Sequence, residues 1–412
     1  MNFQIGDLIQ KVKAWFPKAQ AQIEAQAAEL EARFNEQNYI PLSSEEVANF
    51  QTKIQSLSLP EAYQNAIKTK VSEVLTPWKK DQYSDNHLFI LFDSIEPKNG
   101  VFQEIFKQVN EQALPLKFLS WTTRPDDYAT LKSQLQSQIE STDNSEDIEK
   151  NINPQSLVII PDLSLCFLRC VEGLDAVEYL YDLILKDSSC FWVVGCNKWT
   201  WNYFKSIYKV NTCFEQIFPL PSLNAVELKH WLTPIYETLE IEFGDDNQEN
   251  DNHKSEEWKE QDTTWISQDE KQYFERLASI SEGLSQNAAY LWLDSLQYVK
   301  QPEETDSQTV EIQENKPEKR LILKRATLRN LPGLTKEDQY LLSSIALHGE
   351  ISLSALAVSL AEPESRIRIQ VQKLLRTGII MRQQELLKLS PVYYSRLKQD
   401  LINNKILAGE KD

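Results

Sequence analysis

The chain has 412 residues, which is more than one hydrophobic core usually holds, so we expect two or three domains. An apolar fraction of 41% with ten Trp can form a sizeable core, and a formal charge of −18 excludes a general nucleic-acid coat protein. The charge is uneven, because residues 316–412 carry a net charge of +7 and the rest of the chain −25. Any surface that binds polyanions is therefore predicted in the C-terminal quarter.

Residues 1–80 are predicted to form an N-terminal helical segment. Residues 19–34 contain no Gly or Pro and are rich in Ala, Glu and Gln, which favour helix. Pro41 and the following SSEE indicate a break and a new helix N-terminus, and a third helix is predicted over 60–76, ending before Pro77. The apolar spacing in 5–34 also fits a partner helix or a membrane-surface helix, but packing within the chain is the favoured interpretation.

Residues 81–243 are predicted to form an α/β domain with a parallel sheet. Five short apolar segments, separated by stretches of helix length, read as strands buried on both faces. These segments are LFILF (88–92), KFLSW (117–121), LVIIP (157–161), CFWVVGC (190–196) and QIFPL (216–220). The polar residues 141–153 are predicted to form a loop between the second and third strands.

Two further predicted linkers flank a helical pair. Residues 244–265 are acidic and poor in apolar residues, as disordered connectors are, and residues 301–320 are a second linker. Between them, residues 266–300 show helical apolar spacing with Gly283 at a turn, which predicts a lid of two helices.

Residues 321–412 are predicted to form a winged-helix domain. TKEDQYLLSSIALHG has Thr335 and Asp338 at capping-box spacing, and Gly349 ends the helix. ISLSALAVSL reads as a second helix and EPESRIRIQVQKLLRTG as a third, with Pro363 at its start. IIMRQQELLKLSP then reads as two short strands joined by a polar turn. Three helices followed by a hairpin is the order of a winged helix.

The region 88–299 resembles the AAA+/STAND superfamily of P-loop ATPases, most specifically in LVIIPDL (157–163), FWVVGCNKWTW (191–201) and LASISEGLSQNAAYLWLDSL (277–296). The resemblance implies a P-loop-like sheet with a helical lid. It aligns Gly100 with the glycine of the phosphate loop, Asp162 with the acidic pair and Asn197 with the polar sensor. These three positions are the vestigial nucleotide site.

The site departs from the family at its charged positions. Val101 and Phe102 stand where the loop Lys and Ser/Thr would bind phosphate and Mg²⁺, and Pro161 displaces the first carboxylate. We therefore expect a pseudo-ATPase that holds no cofactor and no metal, and no ATP hydrolysis. No nucleophile triad, glycosidase carboxylate pair or zinc motif supports another enzyme class. The five cysteines likewise lack the spacing of a metal site, and buried free thiols in a reducing compartment are the favoured interpretation.

The predicted winged helix supplies the candidates for binding a macromolecule, which are Arg366, Arg368, Lys373 and Arg376 on the third helix and Arg382 on the wing. A protein partner and DNA, the latter through residues 319–382, both remain open, and an oligomer is compatible with the sequence.

The sequence therefore predicts a regulatory or scaffolding protein. The alternatives are a DNA-binding transcriptional regulator and a nucleotide-dependent switch of the STAND type. The sequence shows neither a signal-peptide core nor an apolar run of the roughly 20 residues that span a membrane, so we expect a cytoplasmic location and no integral membrane segment.

Overall fold

The computed structural model describes most of the chain. The described residues are 39–81, 84–96, 102, 105–106, 114–119, 124, 130–140, 156–208, 210, 213–237, 239–244, 265–299 and 320–406. The predicted helix at 19–34, the predicted loop at 141–153 and nearly all of the two predicted linkers lie outside these residues, so their prediction stays untested.

A five-stranded parallel sheet forms the centre of the fold, in the order β3-β4-β5-β2-β6. Its strands are β2 (His87–Phe92), β3 (Leu116–Phe118), β4 (Ser156–Ile160), β5 (Cys190–Asn197) and β6 (Ile217–Pro219). The register places Phe89 of β2 beside Val194 of β5 and Ile217 of β6. All five predicted strands are present, which confirms the predicted α/β fold class with a five-stranded parallel sheet.

Successive residues of each strand point to opposite faces of the sheet. On one face Phe89, Val158 and Val194 pack with the helices α4 and α5. On the other face Ile90 and Ile159 pack with α2, α6 and the helical pair α7–α8. The bounds of the helices around the sheet are α1 (Ser44–Ser56), α2 (Glu61–Lys80), α3 (Leu131–Glu140), α4 (Asp175–Lys186), α5 (Lys198–Tyr208), α6 (Ala225–Tyr236), α7 (Gln268–Ile280) and α8 (Ser285–Ser295).

The turn between α7 and α8 depends on Gly283, as predicted. Its φ is +68°, in the left-handed region, and a Cβ there would lie 2.6 Å from the Leu223 backbone nitrogen. Leu223 N–H in turn donates to the Gly283 carbonyl at 3.0 Å. Only glycine combines that backbone conformation with so close an approach.

A second sheet of four strands, in the order β1-β8-β9-β7, joins distant parts of the chain. Its strands are β1 (Tyr39–Pro41), β7 (Ile241–Phe243), β8 (Leu296–Val299) and β9 (Leu321–Leu323). β1 and β9 are antiparallel to β8, while β7 is parallel to β9. The sequence analysis missed this sheet, and the predicted lid is helical only as far as residue 295.

The C-terminal unit, residues 321–406, contains three helices, a three-stranded antiparallel sheet in the order β10-β12-β11, and a final helix. Its elements after β9 are α9 (Lys336–His348), β10 (Glu350–Ser352), α10 (Leu353–Leu360), α11 (Glu364–Arg376), β11 (Ile380–Gln383), β12 (Leu386–Leu389) and α12 (Tyr394–Asn403). The capping box between Thr335 and Asp338 and the positive φ of Gly349 lie where the sequence predicted them.

Two local predictions are wrong. The third predicted helix, which is α2 in the structure, does not end before Pro77 but continues to Lys80. The reason is that Trp78 is fully buried there, packs on Phe191 and donates from Nε1 to the Ser188 carbonyl. That packing compensates for the missing backbone N–H of proline in the last turn.

The cysteines also differ from the prediction that their thiols are buried. Only Cys166 and Cys196 are buried, and Cys213 is exposed. Cys166 ends a short 3-10 helix that does not reach Cys170. Among the described residues, no helix combines the length and apolarity that crossing a membrane requires.

Candidate functional site at the carboxyl edge of the sheet

Three polar side chains lie where neighbouring strands end. Asp93 follows β2, Asp162 follows β4 by two residues, and Asn197 is the last residue of β5. Since Phe92 is paired with Asn197 and Ile160 with Val194, the three strand ends share one edge of the sheet. In parallel α/β sheets this edge is where ligands bind. We call it the carboxyl edge.

Asp162, the position aligned with the acidic pair, is engaged in its own turn. Its carboxylate accepts hydrogen bonds from Ser164 N at 2.9 Å and from Ser164 Oγ at 2.5 Å, and so caps the short 3-10 helix Leu163–Cys166. The residue is buried. Its hydrogen bonds to Ser164 are those of a local cap rather than of a metal ligand.

Asn197, at the sensor position, binds the C-terminal unit. Its amide nitrogen donates to the Ala346 carbonyl at 2.7 Å and to the Leu347 carbonyl at 3.3 Å. Thr200 Oγ1 also donates to Leu347 O, at 2.5 Å. These carbonyls belong to the last turn of α9, where a helix leaves carbonyls without partners of its own. The end of β5 and the start of α5 therefore cap the C-terminus of α9.

Arg124 also binds both the α/β domain and the C-terminal unit. Its guanidinium donates to Phe167 O at 2.8 Å, to Ser164 O at 2.5 Å and to Glu350 O of the C-terminal unit at 3.1 Å. Burial lowers the pKa of Arg124 to about 10, while the nearby carboxylate of Asp162 opposes that shift. The side chain therefore stays charged at neutral pH, and it ties the turn after β4 to the start of β10.

His348 completes this part of the interface in its neutral form. Its Nδ1 donates to Ser344 O at 2.7 Å, so Nε2 is the acceptor for Arg169 N at 3.2 Å. The ring stacks on Phe167 with 5.0 Å between centroids. Burial, with the positive charge of Arg124, holds the pKa of His348 well below its usual range.

Asp93 is bound to the last helix of the C-terminal unit. The Tyr394 hydroxyl donates to Asp93 Oδ1 and accepts from Trp199 Nε1 at 2.9 Å. Lys198 Nζ lies 3.8 Å from the same carboxylate. Burial, followed by the charge of Asp93, raises the pKa of Tyr394 well above its usual range. The hydroxyl therefore remains a donor.

Gly100, the glycine aligned with the phosphate loop, lies outside the described residues, but Phe102 is described and is fully buried. Its ring packs with Phe92 and Phe106. A Cβ on Gly195 of β5 would lie 3.0 Å from the Phe102 ring and 2.1 Å from the Pro161 carbonyl oxygen. An aromatic ring packed on a glycine thus occupies the position where the resemblance places a Mg²⁺-binding hydroxyl.

The basic residues predicted to bind a macromolecule are divided between paired and unpaired cations. Each paired cation lies near a carboxylate of the same unit: Arg366 with Glu362 at 3.1 Å, Arg368 with Glu364 at 2.5 Å and Lys373 with Asp338 at 2.6 Å. Arg376, at the end of α11, and Arg382, on β11, have no carboxylate within 4.0 Å in the described part of the chain.

The sequence analysis missed the residues that join the α/β domain to the C-terminal unit, namely Arg124, Thr200, His348 and Tyr394. They lie in segments far apart in sequence, and no motif spacing marks them. The sequence analysis named Asn197 as a sensor position, and in the structure its amide group donates to the carbonyls of Ala346 and Leu347. Within the described residues, no group of three or more His, Cys, Asp and Glu side chains could hold a metal ion.

No family model matches the chain, and no curated protein matches it. Several solved structures are similar in arrangement. One is a RuvB variant of Thermotoga maritima, with 15% identity and a TM-score of 0.30, covering 81% of this chain and 94% of that chain. Another is Cdc6p of Pyrobaculum aerophilum, with 8% identity and a TM-score of 0.36, covering 84% and 95% respectively.

A third similar structure is the Aeropyrum pernix ORC1 protein in complex with DNA, with 11% identity and a TM-score of 0.35, covering 85% of this chain and 95% of that chain. At these scores and identities the likenesses support no inference about function. The strand order and pairing of the sheet establish the fold class, which is α/β with a five-stranded parallel sheet.

Proposed function

We propose that the chain is a non-catalytic regulatory or scaffolding protein. In this proposal a winged helix packs on the carboxyl edge of a P-loop-like sheet and binds a macromolecular partner, most plausibly a protein. One observation carries the proposal. Asn197, the residue aligned with the nucleotide sensor, uses its amide group to cap α9 of the C-terminal unit. A side chain committed to two buried carbonyls is not available to a γ-phosphate.

Two further contacts support the loss of catalysis. Asp162 caps its own turn, and Phe102 fills the position of the Mg²⁺-binding hydroxyl. Phosphoryl transfer depends on a positioned metal and cations around the phosphates. Each described residue aligned with that machinery makes a structural contact instead.

The nucleotide hypothesis is tested by heating the protein with and without Mg-ATP. A ligand that binds only the folded state at 100 times its Kd stabilises that state by about 2.7 kcal/mol, which raises Tm by several degrees. We expect no rise in Tm and no phosphate release. A Tm that increases with ATP concentration would instead support the nucleotide-dependent switch.

The outward side of the C-terminal unit is the favoured partner surface. The order of its helices and hairpin supports the winged-helix interpretation, in which α11 is the recognition helix. On that helix Ile369 is 74% exposed, and Tyr340 of α9 is 54% exposed. Exposed apolar residues beside paired charges are more suited to a protein interface than to a phosphate backbone.

Affinity purification of the native protein, with and without nuclease, tests this surface. We expect a protein complex that survives nuclease and is lost when Ile369→Ser and Arg376→Ala are combined. The matched control is Val171→Ser, at a residue that is 97% exposed outside the C-terminal unit. Retention of the same complex by the double variant would contradict the proposed surface.

DNA binding is the second candidate, favoured by Arg376 and Arg382, which have no carboxylate partner among the described residues. Titration of mixed-sequence duplex at low and moderate salt separates the two candidates, because phosphate contacts weaken steeply with salt. If DNA is the ligand, Arg376→Ala with Arg382→Ala should weaken binding more than Arg366→Ala with Arg368→Ala, whose cations already have carboxylate partners. Absence of binding at low salt would remove this candidate.

A further inference from the structure

His348 lies in the contact between the α/β domain and the C-terminal unit, and its side chain is fully buried. It is the last residue of α9, so it adjoins the carbonyls of Ala346 and Leu347 that Asn197 binds. Its ring is stacked on Phe167 of the turn after β4, with 5.0 Å between the centroids. The ring therefore meets both parts of the chain at a place that is removed from water.

The hydrogen bonds of this ring leave room for one proton only. Nδ1 donates to Ser344 O at 2.7 Å, and Nε2 accepts from Arg169 N of the α/β domain at 3.2 Å, because a carbonyl can only accept and a backbone N–H can only donate. A protonated imidazole is a donor at both nitrogens. After protonation Nε2–H and the Arg169 N–H would be two donors that face each other. The hydrogen bond between the two parts of the chain is therefore made by the neutral ring alone.

The charges around the ring also oppose a second proton. Burial, then the positive charge of Arg124 and, less strongly, that of Arg169 hold the pKa of His348 well below its usual range. In the described part of the chain, no carboxylate oxygen lies within 4.0 Å of the ring nitrogens. The other titratable groups of this contact lie around the two guanidinium groups: Asp162, Cys166 and Glu350 near Arg124, and Cys170, Tyr203, Glu337 and Glu362 near Arg169.

Release of the C-terminal unit from the carboxyl edge would remove each of these obstacles. Nε2 would be open to water, and the guanidinium groups of the α/β domain would be distant. The carbonyls at the end of α9 would also lose the donors of Asn197 and Thr200. A positive charge in the last turn of a helix interacts favourably with such carbonyls. In the released form His348 should therefore titrate at or above the ordinary histidine pKa of about 6.5.

We propose that the contact between the C-terminal unit and the carboxyl edge is a latch that acid releases, with His348 as the group that takes up the proton. The neutral ring closes the latch, and the imidazolium ion favours the released form. Release uncovers the carboxyl edge and the side of the C-terminal unit that packs on it, so acidification offers a partner two surfaces that are covered at neutral pH. The latch does not depend on which macromolecule binds α11.

The released form sets the pH range of the latch. Because the released form binds a proton that the closed form rejects, the closed form loses stability as the pH falls below about 6.5. The contribution of His348 should lower the equilibrium constant for closure about thirtyfold between pH 7.5 and pH 5. Ordinary carboxyl groups, with pKa values of about 4, stay ionised over this range.

The test is hydrogen exchange of the full chain between pH 7.5 and pH 5, followed by mass spectrometry, with labelling times scaled for the intrinsic pH dependence of amide exchange. The reporter is the amide of Arg169, which donates to His348 in the closed form and is resolved with overlapping peptides from 163–174. We expect its protection to fall about thirtyfold over this range. The strand β5 (Cys190–Asn197) should keep its protection, since the central sheet stays folded.

Two histidine variants assign the effect. His348→Gln keeps a donor and an acceptor but binds no proton, so it should lose the pH dependence of the Arg169 amide. His230→Gln, at an exposed position on α6, is the matched control and should behave like the unmodified protein. The same pH dependence in His348→Gln and in the unmodified protein would overturn the proposal. So would a parallel loss of protection in β5, because the whole chain would then be unfolding in acid.

A further variant decides the case in which His348→Gln does not close at any pH. Glu96→Gln removes a neighbouring carboxyl group whose pKa of about 7 falls in the same range and which adjoins the C-terminal unit. In this variant the protection of the Arg169 amide should still fall as the pH is lowered. Protection that is independent of pH there would overturn the proposal.

Discussion

The C-terminal unit has an inner face, which lies against the carboxyl edge, and an outer face, which includes α11. The polar groups at the two faces have different partners. On the inner face, Asn197, Thr200 and Arg124 donate to backbone carbonyls that are removed from water. On the outer face, Arg366 and Arg368 bind the carboxylates of Glu362 and Glu364, four residues earlier in the chain and in contact with solvent. The polar groups named at the inner face have their hydrogen-bond partners within the chain, whereas Ile369 and Arg376 on the outer face have no established role.

Each polar contact of the inner face should therefore contribute more to folding than each ion pair of the outer face. A buried carbonyl that loses its donor costs about 1–3 kcal/mol, because water does not replace the lost hydrogen bond. An exposed i,i+4 ion pair contributes about 0.3–0.5 kcal/mol, because both ions are nearly as well solvated apart. Substitutions of similar size on the two faces should therefore give very different changes in the free energy of unfolding.

Arg124→Met should have the largest effect. It leaves the carbonyls of Ser164, Phe167 and Glu350 without their guanidinium donor, and the nearby Asp162 without its cation. We expect a loss of about 3–5 kcal/mol in the free energy of unfolding, measured by urea denaturation. Arg368→Met is the matched control on the outer face, and a similar change in both variants would contradict the comparison.

Glu96→Gln should change how stability depends on pH. The pKa of Glu96 is raised from 4.5 to about 7 by burial, so at intermediate pH the unfolded chain has lost a proton that the folded protein retains. Stability therefore falls as pH rises from about 5 to 7 and is constant for this group above that range. The contribution is about 3 kcal/mol.

The measurement is urea denaturation of the unmodified protein and of Glu96→Gln between pH 5 and pH 8. The variant should gain stability relative to the unmodified protein as the pH increases, whereas Glu275→Gln, at an exposed position on α7, should not. A difference that stays constant over this range would show that Glu96 keeps an ordinary pKa in the folded state.

Asn197→Leu should cost about 2 kcal/mol, because the carbonyls of Ala346 and Leu347 lose a donor while the volume of the side chain is nearly kept. Gln372→Leu, at an exposed position of α11, is the control on the outer face. Chemical denaturation of both variants checks the prediction. A neutral result for Asn197→Leu would contradict this prediction and would mean that Thr200, Arg124 and Tyr394 are sufficient polar contacts to the C-terminal unit.

Arg366→Ala combined with Arg368→Ala should have the smallest effect on stability, under about 1 kcal/mol, because both ion pairs are exposed. Thermal unfolding at low and high salt checks this result, since the residual contribution should disappear with salt. A loss of several kcal/mol would indicate that these cations have a structural role on the outer face.

Local patterns in the sequence predicted most elements correctly. Continuous apolar runs such as LFILF and CFWVVGC identified all five strands of the central sheet, because strands buried on both faces need apolar residues throughout. Capping signals at Thr335 and turn glycines at positions 283 and 349 identified helix ends for an equally local reason. Interactions within a few residues suffice for these features.

Two features depend on contacts between segments that are distant in sequence. The second sheet consists of strands of three or four residues, too short for a periodic pattern, and its pairing joins Tyr39 to Val299 and Ile241 to Leu321. The capping of α9 by Asn197 brings together residues about 150 positions apart in sequence. The sequence alone predicted most of the elements, and its resemblance to P-loop ATPases implies a nucleotide site without the usual charged residues. The packing of the C-terminal unit on the carboxyl edge was needed to identify the carbonyl groups that bind Asn197. A hydrogen bond between distant segments leaves no periodic pattern in the sequence of either segment.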